Sequence, residues 1–237
     1  IVTGGMAENV YNNLRSLGLK ETEICFISNP TAILKKRFIE EMTGAIILRI
    51  DENDDVITTN HEYFDGETFK KLKLVIENHN TVKLLVVSDY CKGFVDEYWL
   101  GQIFELCDKH GIKTVMDSRK KLDPTWSEKV DFVKINNKEY TELGEDASKY
   151  CRNLIVTQGS KGSFWVNENK HYSTKSVDRP SCVGAGDTML AGFVMSLLDC
   201  ASVDDSIKFG NLAAGAAVSK SGTSVVTKED IERFKLR

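Results

Sequence analysis

The chain has 237 residues, 41% hydrophobic and 28% charged, with a formal net charge of −4. That length and balance fit one α/β domain with a sizeable core. The mild acidity gives no electrostatic basis for nucleic-acid binding, and no apolar run is long enough to span a bilayer.

The opening Ile1-Val2-Thr3-Gly4-Gly5 has neither an initiator Met nor a signal-peptide pattern, so the sequence is expected to begin inside a longer protein. Six cysteines (Cys25, Cys91, Cys107, Cys151, Cys182 and Cys200) form no C-x-x-C pair and are accompanied by only four histidines. This argues against a zinc site and for reduced, mostly packed thiols in a cytoplasmic protein.

After the Gly4-Gly5 turn, residues 7–17 have helical periodicity and stop at Gly18, a natural helix end. Residues 23–28 read as a short strand. Residues 38–51 read as one or two strands around Thr43-Gly44. An amphipathic helix over 64–78 precedes four buried strands. These cover 83–89, ending at Asp89; 113–117, ending at Asp117; 130–136, ending at Asn136; and 153–157, ending at Thr157. A helix over 97–110 joins the first two. A hairpin through Asn169 follows, and helices over 188–198 and 203–219 close the chain.

The repeated strand–helix–strand unit predicts a mostly parallel sheet with helices on both faces. Ligands in such folds sit beyond the C-terminal strand ends, the edge that carries Asp89, Asp117, Asn136 and Thr157. Tyr90, Trp99, Trp126 and Trp165 read first as packing residues.

The sharpest motif is Val183-Gly184-Ala185-Gly186-Asp187-Thr188, directly before an apolar helix. Its glycines allow a tight turn that exposes backbone N–H groups, and the helix end behind them adds a positive dipole. Gly184, Ala185 and Gly186 thus form an anion hole suited to a transferring phosphoryl group. Asp187 is placed to take a proton from a substrate hydroxyl. Neither a Walker A loop nor a Rossmann G-x-G-x-x-G occurs.

These residues resemble the ribokinase (PfkB-type) carbohydrate kinase family. The likeness rests on Gly184-Ala185-Gly186-Asp187-Thr188, Gly4-Gly5 with Asn9, and Asn136-Asn137-Lys138-Glu139. It also rests on the stretch from Val156 to Gly162 and on Gly210-Asn211-Leu212-Ala213-Ala214-Gly215, all in the family's order. The resemblance implies a ribokinase-like three-layer α/β sandwich over residues 1–237, with a small β lid from about 23–60. It implies an ATP-dependent sugar kinase using Mg2+ and a monovalent cation such as K+.

In that frame Asn136 and Glu139 serve magnesium through water. Thr157, Gly159, Gly162, Asn211 and Gly215 shape the nucleotide site, and Gly4, Gly5 and Asn9 meet the sugar. Within the family the chain is similar to heptose 7-phosphate kinases, the kinase half of bifunctional ADP-heptose synthases. This likeness is carried by Ser88-Asp89-Tyr90-Cys91-Lys92-Gly93, by Arg37-Phe38-Ile39, by Leu48-Arg49-Ile50-Asp51 and by Gly222-Thr223-Ser224.

The closer likeness implies a heptose 7-phosphate phosphorylated at its anomeric hydroxyl, with Asp89, Lys92, Arg37 and Arg49 at the substrate. It also implies a homodimer through the lid and a fused or separate nucleotidyltransferase. Cys182 stands where the family has Asp or Thr, and Asp117-Ser118-Arg119 stands where heptose kinases have D-P-K. The alternatives are another sugar or nucleoside kinase of the family, or a nucleotide- or sugar-binding module without activity.

Overall fold

The computed structural model describes residues 6–28, 34–39, 46–52, 64–78, 81–177, 183–220 and 225–236. The order of elements begins with helix α1 (Met6–Ser16), an antiparallel pair β1 (Leu34–Ile39) and β2 (Ile46–Glu52), and α2 (Gly66–Asn78). Then come β3 (Leu84–Asp89), α3 (Glu97–Lys109), β4 (Lys113–Ser118), α4 (Pro124–Ser127), β5 (Phe132–Asn136), α5 (Asn137–Leu143) and β6 (Leu154–Thr157). The chain finishes with β7 (Ser163–Trp165), β8 (Lys170–Tyr172), α6 (Ala185–Leu198), α7 (Val203–Val218) and α8 (Lys228–Leu236).

The main sheet runs β3-β4-β5-β6-β7-β8, with β3 to β6 parallel and the last two strands antiparallel. It is the mostly parallel α/β sheet expected, and β1–β2 form a separate two-stranded ribbon at the expected lid.

Side chains alternate between the two sheet faces, and each face has its own core. Val115, Phe132 and Ile155 pack with α1, α6, α7 and α8. Met116, Val133, Ile135, Leu154 and Val156 pack with α2, α3 and α4. α6 is buried almost all round, and its Phe193 meets Phe132 edge-on at 5.2 Å. Each such large apolar side chain contributes about 1.5–3 kcal/mol on burial. This packing fixes where the N-terminus of α6 lies against the sheet.

Two sequence expectations change. Residues 23–28 form no sheet strand. A 3-10 turn over Glu21–Glu23 starts the segment, closed by Lys20 N–H donating to Glu23, and Phe26 then stacks on Tyr11 at 4.8 Å. Local capping and one aromatic contact outweigh the strand tendency of the short apolar run there. The sequence reading also ended without α8. Its signal was Thr227-x-x-Asp230: Thr227 N–H donates to Asp230 and Asp230 N–H donates to Thr227 Oγ1, a reciprocal cap.

The hairpin at the sheet edge depends on a backbone only glycine supplies. Gly162 has φ +93°, and a Cβ there would run into the carbonyl of Tyr172. Gly162→Ala is therefore expected to cost at least about 2 kcal/mol, combining left-handed strain with a backbone clash. Chemical denaturation at neutral pH measures it.

Candidate active site

α6 begins at the C-terminal edge of the sheet. Its N-cap, Gly184, is left-handed (φ 78°, ψ 1°) and offers no side-chain cap. Thr188 starts the helix by donating both N–H and Oγ1 to the Gly184 carbonyl, each at 3.0 Å. The first-turn N–H groups therefore keep their donors for an anion, at the positive end of the helix dipole.

Asp187 lies in this first turn and is 2% exposed. Asn9 Nδ2 donates to its Oδ2 at 2.8 Å, and the Tyr90 hydroxyl donates to its Oδ1 at 3.2 Å. Asn9 is itself held by Asn13, which donates to the Asn9 carbonyl at 2.8 Å and accepts Val226 N–H at 3.0 Å. Burial raises the Asp187 carboxyl to about 6, against the lowering effect of Asn9, Lys134 and Tyr90. A base tuned to that value is ionised at neutral pH yet basic enough to take a proton.

Lys134 is the residue that sequence reading missed. It sits inside the apolar strand β5, 5% exposed, and pairs with Asp117 at 2.5 Å. The two are register partners across β4–β5, on the face that carries α6. A Cβ on Gly186 would come 3.1 Å from Lys134 Nζ, so glycine there lets the ammonium approach the α6 turn. The legible signal was a lysine in the middle of a buried strand, where lysine is rare unless paired.

Tyr90, read as packing, is instead a direct partner of the Asp187 carboxylate. Burial and the nearby Asp187 and Asp117 push its phenol upward, so it stays a donor. Tyr90→Phe removes a hydrogen bond to the ionised form of Asp187, which raises that carboxyl further. An enzyme that used Asp187 as a base would then lose activity chiefly on the acid side. The acid limb of kcat/KM is expected to move to higher pH, with the rate at pH 8.5 nearly retained.

Across the sheet edge, Asn136 and Glu139 form a reciprocal cap on α5. Asn136 N–H donates to Glu139 Oε2 at 2.8 Å, and Glu139 N–H donates to Asn136 Oδ1 at 3.0 Å. Glu139 Oε1 lies 3.3 Å from Arg119 Nε, and the Arg119 guanidinium lies 4.9 Å from the Tyr90 ring centroid. Among the described residues no three His, Cys, Asp or Glu converge to hold a metal ion.

Thr157 ends β6 and donates Oγ1 to the Ile135 carbonyl at 3.2 Å. Gly159 is left-handed with open space at its Cα, and Gly162 closes the turn after it. Asn211, expected at the adenine or ribose, has both ends of its amide engaged inside the protein. Ser163 Oγ donates to its Oδ1 at 2.5 Å, and its Nδ2 donates to the Tyr172 carbonyl at 3.1 Å. Gly215 lies against the Phe234 ring of α8, a packing position.

Asp89 belongs to the other sheet face, because it alternates with Ser88, the register partner of Asp117. Its carboxylate accepts Cys91 N–H at 2.9 Å and Ser118 Oγ at 3.3 Å, with Lys120 at 3.7 Å. These contacts make it the organiser of the turn that carries Tyr90 and the partly buried Lys92. Arg37 and Arg49 are register partners in the β1–β2 ribbon. Gly4, Gly5, Cys182 and 222–224 lie outside the described residues, as do the side chains of Arg37 and Arg49. Cys107 and Cys151 are buried thiols pushed up to about 12 and inert, whereas Cys25 and Cys200 are exposed and Cys91 is half-buried, so fewer of the described thiols are packed than expected.

The model of the pfkB family carbohydrate kinases matches residues 37–230. The chain belongs to this family. Among curated relatives, the bifunctional protein HldE of Sulfurimonas denitrificans is 26% identical, over 99% of this chain and 56% of its own length. HldE of Actinobacillus pleuropneumoniae is 28% identical, over 92% of this chain and 47% of its own. The chain thus spans about half the length of the curated relatives it matches.

Among solved structures, a ribokinase from Thermotoga maritima has a TM-score of 0.69 at 17% identity, covering 99% of this chain and 88% of that one. Phosphofructokinase-2 from Escherichia coli, in complex with potassium, has a TM-score of 0.60 at 23% identity, covering 73% and 62%. The fold is ribokinase-like. No described helix is long and apolar enough to cross a membrane.

Proposed function

We propose that this chain is an ATP-dependent sugar kinase in which Asp187 is the base for the acceptor hydroxyl. The observation that carries the reading is the buried Asp187, gripped by Asn9 and Tyr90 in the uncapped first turn of α6. Asp187 takes the hydroxyl proton as the oxygen attacks the γ-phosphorus and the bond from that phosphorus to the β–γ bridging oxygen breaks, releasing ADP. The N–H groups of Ala185 and Gly186 and the Lys134 ammonium hold the phosphoryl oxygens on which charge collects.

The donor set fits magnesium held outside the protein's direct grasp. Asn136 is exposed and Glu139 partly so, and no described cluster offers inner-sphere ligands. Asn136 and Glu139 would hold the ion through water, and it would supply neutralisation of the phosphate charge. Thr157, Gly159 and Gly162 frame the nucleotide beside them, and Asn211 and Gly215 support it from behind. A K+ requirement is consistent with the potassium complex of the E. coli phosphofructokinase-2.

For the acceptor, the HldE relatives favour a heptose 7-phosphate taking the new phosphate at its anomeric hydroxyl. Asn9 lies at the acceptor, with Gly4 and Gly5 expected beside it. Ser88 Oγ is buried without a hydrogen-bond partner, and Ser88 is the register neighbour of Asp117, so it suits a sugar hydroxyl. The cross-strand pair Arg37 and Arg49 would meet the acceptor's phosphate. Exposed Ile47 and Leu48 on β2 favour a lid-to-lid homodimer, and a nucleotidyltransferase would act on the product as a fused or separate unit.

The test is NMR of the product after incubation with ATP and Mg2+. Heptose 7-phosphate, fructose 6-phosphate, ribose and adenosine are compared. A new anomeric phosphate on the heptose supports the reading. Preferential phosphorylation of another acceptor keeps the kinase and replaces the substrate.

A further inference from the structure

We infer that Arg119 is a phosphate-binding residue, parked on Glu139 and the Tyr90 ring until a substrate phosphate takes Glu139's place. The inference rests on the kinase reading and deepens it by giving a role to a cation outside the base and its turn.

The position comes from the strand. Asp117 and Ser118 end β4 and Arg119 is the next residue, so its side chain leaves the sheet at the ligand edge. It is held at two places. Nε lies 3.3 Å from Glu139 Oε1, and the guanidinium lies 4.9 Å from the centroid of Tyr90, whose hydroxyl donates to Asp187. Arg119 therefore stands between the carboxylate proposed for the magnesium side and the proposed base.

The neighbouring cations are committed elsewhere. Lys134, paired with buried Asp117, is already assigned to the phosphoryl oxygens at the α6 turn, and Lys120, 12% exposed, lies between Asp89 and Glu97. Arg119 is 59% exposed, and its ion pair with Glu139 uses Nε. Stacking on an aromatic ring limits the rotamers of a planar guanidinium, so less entropy is lost when its terminal amino groups grip a phosphate. The pair is open to solvent on the Arg119 side and uses a single Nε–Oε1 contact at 3.3 Å, so a polyanion can displace Glu139. Displacement would free Glu139 Oε1 while Oε2 stays on the α5 cap.

The test measures binding rather than turnover. Titration calorimetry without Mg2+ would use tripolyphosphate, ATP, adenosine and fructose 6-phosphate as probes. Arg119→Met is expected to weaken tripolyphosphate and ATP about 10-fold or more while leaving adenosine unchanged. Arg119→Lys should fall between, since it keeps the charge and loses the fork.

Glu139→Gln, which preserves the cap, is expected to tighten tripolyphosphate severalfold, and the gain should vanish in the Arg119→Met background. If fructose 6-phosphate alone weakens in Arg119→Met, the phosphate served belongs to the acceptor. Equal binding of all phosphates by wild type and Arg119→Met overturns the inference and leaves the kinase reading intact. Wild-type protein that binds neither ATP nor tripolyphosphate overturns both.

Discussion

Asp187→Asn is expected to lower kcat about 10^3-fold or more while ATP affinity stays within a few-fold of wild type. The carboxylate is the only group in the first turn of α6 placed to accept a proton, and Asn9 and Tyr90 fix both its oxygens. Asparagine keeps the shape and can still accept from Asn9, so the loss reports the missing base rather than a collapsed site.

The same variant makes a stability prediction of opposite sign. Burial raises Asp187 from 3.8 to about 6, so between those pH values the native state holds more protons than the unfolded chain. Wild-type stability therefore falls as pH rises through that window, by on the order of 2–3 kcal/mol from this group. Asp187→Asn escapes the loss. It should melt above wild type at pH 8, with the difference shrinking toward pH 4. Thermal melts across that range would show the gap; a variant less stable than wild type at pH 8 would contradict the account. A base made potent by burial carries this cost in many active sites.

Lys134→Met is the second large effect. Two losses are expected together: about 10^2-fold or more in kcat, from the ammonium beside Gly186, and about 3–5 kcal/mol of stability, from Asp117 left buried and unpaired. A second substitution separates them. Lys134→Met with Asp117→Asn removes both charges, so stability should return while activity stays low. Recovery of activity together with stability would reduce Lys134 to a scaffold residue. Denaturant titration and initial rates on the same preparations give both readings.

The parallel sheet was legible because β3 to β6 are short apolar runs, each ending in a polar residue at one edge. The α6 turn was legible because two glycines before an apolar helix have few other uses. What escaped depends on the third dimension. The period-2 alternation could have told that Asp89 and Asp117 leave opposite faces, but only once the strand register was known. Lys134 was hidden in a strand whose neighbours are all apolar, and its meaning lies in Asp117, 17 residues away. Tyr90 looked like any half-buried aromatic until its hydroxyl was seen against Asp187. Residues 23–28 carried a short apolar run, yet a capped turn and the stacking of Phe26 on Tyr11 decided their path.

The most direct test of the central claim is acceptor-dependent ADP formation. Wild type and Asp187→Asn would be given ATP, Mg2+ and each sugar or sugar phosphate, with ATP binding measured in parallel. The account predicts ADP release that requires an acceptor, follows one acceptor far better than the rest, and is lost in Asp187→Asn while ATP still binds. Wild-type protein that binds ATP but releases no ADP with any acceptor, or an Asp187→Asn variant that turns over at the wild-type rate, would contradict it.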